Sequence, residues 1–492
     1  MSRFIPAQLQ RWTDGLLIQT PENQMQSDRF YRGISTDTRS LRRGEVFLAL
    51  IGENFDGHNF ADKAIEKGAG LLVLNEKSEQ AMDLYHRLKN GENLPDLLLV
   101  NDTLRAYQRI AEGYRMTLLA TVIGVTGSVG KTTTRRMIGA IVETQMKVHE
   151  TDENENNQIG LPLTLLEADD SDEVVLAEMG MDRRGEIAIL SGVAHPDIAI
   201  ITGIGYSHAE YLGSRENILR EKTDIVQGMK SNGLVLISGQ DRHLNGWAKT
   251  AANEIPVWRI FNETPVETQE ELDKLPAFWA EDLRIGPNET AFTAKTSLDP
   301  KVAWPVAIPV PGKHLVRAAL FGLAAAYSLG LDMEIAVRGC ADFVNARNRQ
   351  RIVQKNGYIV INDSYNSSPE SVTAALDTLA LIAAERKGRK IVCLGGMKEL
   401  GSYSRDLHHK IGEKIAKLNI DQLYLVGEEA EWIKEGIESG GKDIPLRIFN
   451  SSAEIRDAVL RDIKSEDSIL VKGSRSYRME VIADAIEKGA DH

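Results

Sequence analysis

The stretch Val122-Ile-Gly-Val-Thr-Gly-Ser-Val-Gly-Lys-Thr-Thr-Thr134 decides how the chain is read. Thr121, Val122, Ile123 and Val125 form a β-branched run that reads as a buried strand. The run stops at Gly127-Ser-Val-Gly130. A helical pattern follows from Lys131, with Met137, Ile138, Ile141 and Val142 on one face. Strand, glycine loop, Lys-Thr and helix together make the layout of a phosphate cradle. Glycines let backbone N–H groups turn toward phosphate oxygens, and a helix N-terminus adds positive potential. Thr126, Gly127, Ser128, Val129 and Gly130 then wrap the phosphates, continuing into Thr132 and Thr133. Lys131 reaches the β/γ-phosphates, and the Thr132 hydroxyl holds Mg²⁺. The glycines fall at 124, 127 and 130, with Val125 where the usual spacing has glycine. The layout predicts use of a nucleoside triphosphate.

The 492 residues suggest about three domains at roughly 150 residues each. Lys+Arg 58 against Asp+Glu 71 leaves a net charge of −13, which argues against nucleic acid as the main partner. A cradle for one anionic ligand acts locally and is compatible with that balance. Two cysteines, Cys340 and Cys393, offer neither a disulfide framework nor a zinc site, which fits a cytoplasmic protein. The N-terminal residues Met1–Gln8 lack an apolar signal core. The longest apolar stretch, near Leu320–Leu331, is too short to cross a bilayer and reads as a buried helix.

Outward from the loop, the chain reads as α/β in three parts: 1–101, 102–345 and 346–492. In the first, strands at Val46–Leu50 and Leu71–Leu74 flank a helix at Asn59–Lys67, Glu79–Leu94 reads as a surface insertion, and Asp102–Met116 as a linker helix. The middle holds parallel strands at Val174–Ala177, Ile198–Ile201 and Leu234–Ile237, a β-rich excursion over Pro256–Pro311 and a helix at His314–Leu329. The last part alternates strands near Tyr358, Ile391, Leu423 and Ile469 with helices, a Rossmann-like pattern.

Glu178 ends a strand, where ligands of parallel sheets bind, and suits Mg²⁺; the other reading is a solvated strand-end carboxylate. His208 follows the next strand and could face the same edge. Lys222 falls among Ile218, Ile225, Val226 and Met229 on a helix read over Arg215–Met229. Burial lowers a lysine's pKa, and the neutral amine can take up CO₂ to form a metal-binding carbamate; the other reading is a snorkelling lysine. Asn154-Glu-Asn-Asn-Gln-Ile-Gly-Leu-Pro162 offers amides, among them Asn156 and Asn157, that either contact a nucleotide or cap the next helix.

These motifs, with Ala177–Ile187, Thr202–Gly213, Asp363-Ser-Tyr-Asn366, Leu394–Gly401, Val471–Ser476, Ile34–Arg39 and Gly52–His58, resemble the Mur ligase family over nearly the whole chain. They resemble the branch that joins D-alanyl-D-alanine to a UDP-N-acetylmuramoyl-tripeptide. The resemblance implies an N-terminal domain for the UDP-substrate, a central ATPase domain and a C-terminal ligase domain. It implies an ADP-forming peptide ligase acting as a monomer, with ATP and two Mg²⁺ sites. In it Lys131 and Thr132 hold phosphates and metal, Glu178 binds metal, and His208 and a carbamylated Lys222 serve the second metal. Arg349 contacts the γ-phosphate, Asp363 the ribose, and Ser35, Asp37 and Arg39 the UDP end. Lys472, Ser474 and Arg475 help place the dipeptide. The sequence departs from the family at His314-Leu-Val-Arg-Ala318, where two adenine-side asparagines are missing, and at Gly395-Gly-Met397 and Tyr206-Ser-His208. The alternatives are a folylpolyglutamate synthase-like ligase, a Mur ligase paralogue adding another amine, and a nucleotide-dependent binding protein without ligase chemistry.

Overall fold

A computed structural model describes residues 3–20, 23, 25, 29–152 and 155–488. Its centre is the strand Thr121–Thr126, flanked in parallel by Val174–Glu178 and Ile198–Ile201. Alternate residues of each strand feed opposite faces, as a pleated strand requires. Val122, Val175, Ala177, Ala199 and Ile201 enter one buried cluster. Ile123, Val125, Val174, Leu176, Ile198 and Ile200 enter another, closed by the helices Lys131–Val142 and Lys313–Ser328. Burial on both faces explains the near-continuous apolar runs that marked these strands.

The β-rich stretch after Pro256 does not leave this sheet. Val257–Phe261 and Ala277–Ile285 join it in parallel, and Thr290–Thr296 and Trp304–Ile308 extend it antiparallel, making nine strands. The last two alternate buried positions with half-buried ones in Thr290–Thr296 and with exposed ones in Trp304–Ile308, the pattern of a one-sided sheet.

Leu16–Ile18, Ile34–Ser35, Val46–Leu48, Leu71–Asn75 and Asp96–Val100 form a five-stranded sheet, parallel except for Leu16–Ile18. Glu79–Lys89, expected as an insertion, is a connecting helix that buries Ala81 and Leu84. Thr103–Arg115, expected as a linker, is an integral helix. Ala106, Tyr107, Ile110, Ala111 and Tyr114 belong to one core shared by the first and second sheets.

Residues 351–472 form a six-stranded sheet, parallel except for its edge strand Arg351–Lys355. That strand, the edge strand Leu446–Phe449 and the helix Ala430–Ser439 escaped the sequence reading. Both strands carry charged residues and are half exposed, so they lack the apolar signature. Among the described residues no helix is long and apolar enough to cross a membrane.

Candidate active site

The parallel strands of the central sheet end at a common edge, and the loop after Thr126 crosses it. Gly127 has φ 141° and Gly130 φ 89°, conformations that favour glycine. A Cβ on Gly127 would lie 2.0 Å from Thr202 Oγ1, so the close approach also requires glycine there. Thr202 Oγ1 donates to Val129 O at 2.6 Å and Ser128 N donates to Gly203 O at 2.9 Å. These bonds sew the loop to the end of the neighbouring strand. The helix starting at Lys131 has no side-chain cap, which leaves first-turn N–H groups directed at the loop. Lys131 folds back, its Nζ donating to Gly127 O at 2.9 Å.

Glu178 is 1 % exposed. It accepts from Thr132 Oγ1 at 2.8 Å and from Asn156 Nδ2 at 2.9 Å. Behind it the buried Arg135 approaches Glu178 at 3.5 Å and pairs with Glu150. A buried carboxylate needs such compensation. The strand-end glutamate is therefore not a solvated one. Thr126 turns inward and donates to Met179 O at 2.9 Å, bracing two strands rather than lining the cleft. Asn157 is also directed elsewhere: its Oδ1 accepts from the N–H groups of Ile159 and Gly160, both at 3.0 Å, at the start of the helix Gly160–Glu167. Asn154 lies outside the described residues.

This edge forms one wall of a cleft of about 660 Å³, whose other wall comes from the third sheet. Ser128–Thr133, Asn156, Glu178 and His208 line the first wall, and Arg349, Asp363, Lys472, Ser474 and Arg475 the second. The walls touch at His208, whose Nδ1 is 2.8 Å from Glu399 Oε2, and where Glu210 N donates to Glu399 O at 3.0 Å. The close approach of the His208 ring holds the Glu399 carboxyl below its ordinary range. Arg349 stacks its guanidinium 4.0 Å from the Tyr365 ring centroid and contributes to the positive field at Lys131. Desolvation, reinforced by that charge, pushes the Lys131 pKa down, while Glu178 opposes the shift.

Two residues singled out on the second wall are engaged with each other. Asp363 is buried and engaged, accepting from Gln350 N at 3.1 Å and from Lys472 Nζ at 2.6 Å. Lys472, 1 % exposed, also donates to Asn366 O at 2.9 Å and to Asp363 O at 3.5 Å. Its three donors are spent on this loop, so it braces the wall rather than reaching for a substrate. Near them His314 is driven down to about 4 by desolvation, with Arg317 and Lys472 adding to the effect. Of the two positions that lack asparagine, Ala318 lines the cleft while Leu315 is sealed in the core.

Lys222 is wholly buried and its Nζ has no hydrogen-bond partner. It does not line the cleft. The segment is not one helix: Arg215–Thr223 is α-helical, and Asp224–Gly228 tightens to 3₁₀. Its neighbour Glu221 accepts from the N–H groups of Gly185 and Ile187, at 2.8 and 3.0 Å. That clamp locks the helix against Glu186–Ala194 and seals Lys222 in. Desolvation, with the charge of Lys131 next in importance, holds the amine well below its ordinary pKa.

Ser35, Asp37 and Arg39 are not at the cleft. Arg39 forms an exposed ion pair with Asp37 at 2.6 Å, and Ser35 Oγ closes the same turn onto Asp37 O at 2.9 Å. The sequence reading missed Asp182, Arg317, Lys398 and Glu399, all of which line the cleft. Lys398 and Glu399 stood inside the quoted Leu394–Gly401 motif, but nothing in its spacing says which side chains turn inward.

Comparison with known proteins agrees with this architecture. The chain matches the Mur ligase middle domain over residues 125–326 and the Mur ligase glutamate ligase domain over 348–475. Residues 30–115 match the Mur ligase family catalytic domain. A Bacillus subtilis UDP-N-acetylmuramoyl-tripeptide–D-alanyl-D-alanine ligase is 34% identical over 470 residues, covering 95% of this chain and 96% of the relative. Among solved structures, MurF from Acinetobacter baumannii superposes with a TM-score of 0.83 at 27% identity, covering 99% of both chains. MurF ligase from Thermotoga maritima, in complex with ADP, gives 0.77 at 26% identity, covering 93% of this chain and 97% of that one. With family domains matched in all three parts and a cleft built between the second and third, the chain belongs to the Mur ligase family.

Proposed function

We propose that the protein is an ADP-forming ligase that joins D-alanyl-D-alanine to a UDP-N-acetylmuramoyl-tripeptide, a step in making peptidoglycan precursor. The observation that carries the reading is the shared cleft. It brings a phosphate loop with a buried Thr132–Glu178 pair opposite Arg349 and Asp363 of the next domain. The name of the Bacillus subtilis relative at 34% identity supplies the substrates.

The tripeptide carboxylate attacks the γ-phosphorus of ATP, the bond to the leaving ADP oxygen breaks, and an acyl phosphate forms. Charge spreads over the transferring phosphoryl oxygens, where Lys131 and Arg349 offset it from opposite walls. The dipeptide amine then attacks the acyl carbon, loses its proton and expels phosphate. Contact between the walls at His208–Glu399 excludes water that would otherwise hydrolyse the acyl phosphate. Asp363, steadied by Lys472 and Gln350, faces the nucleotide's ribose in this reading. Ser35, Asp37 and Arg39 hold the UDP end of the tripeptide substrate from the first domain.

Among the described residues no three His, Cys, Asp or Glu side chains group as a ready metal site. The donor set nevertheless fits Mg²⁺ shared with phosphate: Thr132 and Glu178 bring hard oxygens together at 2.8 Å. His208 and a carbamylated Lys222 would serve a second ion. The orphaned, desolvated Lys222 amine suits carbamate formation, because only the neutral amine reacts with CO₂. Bound Mg²⁺ would screen the negative charges of phosphate and carboxylate from each other.

The test is phosphate release with ATP, Mg²⁺, UDP-muramoyl-tripeptide and D-alanyl-D-alanine, each omitted in turn. Release that needs all four supports the reading. Release supported by another amine but not by D-alanyl-D-alanine overturns it.

A further inference from the structure

We infer that His408, which lies outside the cleft, is a positioning residue for the proposed reaction: its neutral ring holds the loop through which the third domain meets the second. This deepens the ligase reading and rests on it.

The loop leaves the strand Lys390–Gly395 and leads to the helix Ser404–Ala416. It carries Glu399, which meets His208 and Glu210 of the opposite wall. Glu399 makes that contact in a left-handed conformation, φ 64°, which a residue with a Cβ adopts under strain. Gly401 follows at φ 54°, and a Cβ there would lie 3.0 Å from Glu210 Cα. A strained bend keeps its shape only where the surrounding structure holds its backbone. Ser474 provides two holds: its N–H donates to Gly396 O at 3.1 Å, and its Oγ accepts from Lys398 N at 2.9 Å. His408 provides the hold between them, Nε2 accepting from Met397 N at 2.9 Å.

These bonds fix the state of the ring, which is wholly buried. Met397 N–H can only donate, and Ser404 O, 2.7 Å from Nδ1, can only accept. The proton therefore sits on Nδ1 and leaves Nε2 bare. A second proton would set one N–H against another and release Met397. Desolvation keeps that proton off, pushing the pKa below histidine's ordinary value with help from Lys398, while the Ser404 carbonyl and Glu429 oppose the shift. Trp432, from the helix Ala430–Ser439, fixes the ring's direction, its centroid 5.8 Å away and its plane tilted by 57°. His408 thus ties the loop to its own helix with one nitrogen for each.

Two amide variants separate those bonds. His408→Asn places a nitrogen where Nδ1 lies and keeps the bond to Ser404 O, but it falls short of Met397. His408→Gln reaches the place of Nε2 and keeps an acceptor for Met397 N, but it gives up Ser404. Both are assayed for phosphate release with ATP, Mg²⁺, UDP-muramoyl-tripeptide and D-alanyl-D-alanine. Deuterium uptake at the Met397 amide is followed by mass spectrometry, which needs no turnover. His408→Asn should lower kcat about ten- to a hundred-fold through a misplaced loop, with the KM for ATP within about three-fold of wild type because the phosphate loop belongs to the other wall. Its Met397 amide should exchange faster. His408→Gln should keep kcat within about five-fold of wild type and keep the amide protected. Wild-type turnover in His408→Asn overturns the inference. So does better turnover in His408→Asn than in His408→Gln, which would make the bond within the helix the one that matters. Lost protection in His408→Gln overturns it alone, so the test does not depend on His408→Asn folding. A wild type with no dipeptide-dependent phosphate release overturns the ligase reading and the role in turnover with it. The order of exchange rates still shows whether His408 holds the loop, which separates the two failures.

Discussion

Lys222 shows how much one buried amine can reveal. A lysine whose pKa is depressed on folding carries fewer protons folded than unfolded, so stability rises with pH until the unfolded value near 10.4 is reached. Lys222→Met removes that liability. At neutral pH in CO₂-free buffer it should unfold about 2–4 °C higher than wild type, with the gap closing toward pH 10. Calorimetry across that range checks it; a destabilised Lys222→Met at neutral pH contradicts it. If Lys222 is carbamylated as proposed, the smaller Lys222→Ala should lose most activity, and acetate or formate should restore part of it by filling the gap. Full activity in Lys222→Ala rules the carbamate out. Lys131 acts differently, since its ammonium only rests on Gly127 O. Lys131→Ala should lower kcat by about a hundred- to a thousand-fold while circular dichroism and melting stay near wild type.

At the scale of elements, the strand–loop–helix unit depends on two glycines for different reasons. Gly127 sits against Thr202, whereas a Cβ on Gly130 would meet open space and suffer only its backbone conformation. Gly127→Ala should cost about 2–4 kcal/mol, from strain plus overpacking, and abolish nucleotide binding. Gly130→Ala should cost about 1 kcal/mol and weaken binding less. Chemical denaturation and nucleotide titration of the pair check this; equal losses would mean that the contact with Thr202 is irrelevant. The same scale explains the misread segments. Thr103–Arg115 looked like a linker because its apolar stripe lies among charged residues, yet that stripe joins the first and second sheets in one core.

Across the whole molecule, the seam between the second and third domains controls the cleft. His208–Glu399 and the Tyr206–Tyr403 ring contact at 5.3 Å hold the walls together. Glu399→Gln should loosen the seam, enlarging the radius of gyration in small-angle scattering and lowering kcat by about ten- to a hundred-fold. An unchanged profile with normal turnover would show that closure does not depend on the pair. Arg349 is carried by the third domain, so Arg349→Ala should reduce kcat more than it weakens ATP binding. Equal losses would make it a plain binding residue.

The sequence by itself determined the kind of fold and the kind of chemistry, because both are written in local patterns. Apolar β-branched runs ending in glycine loops specify buried parallel strands, and Gly-Lys-Thr after such a strand specifies a phosphate cradle. Glu178 was legible too, since a strand's end fixes which sheet edge its side chain reaches. The tertiary structure alone decided how residues far apart in sequence share their donors. Asn156 turned to Glu178 while its neighbour Asn157 turned to a helix start. Lys472, read as a substrate residue, spent its ammonium on Asp363 and Asn366. Hydrogen bonds of that kind depend on which side chains close approach brings together, and burial makes each unpaired group costly. Neither fact can be read from spacing along the chain.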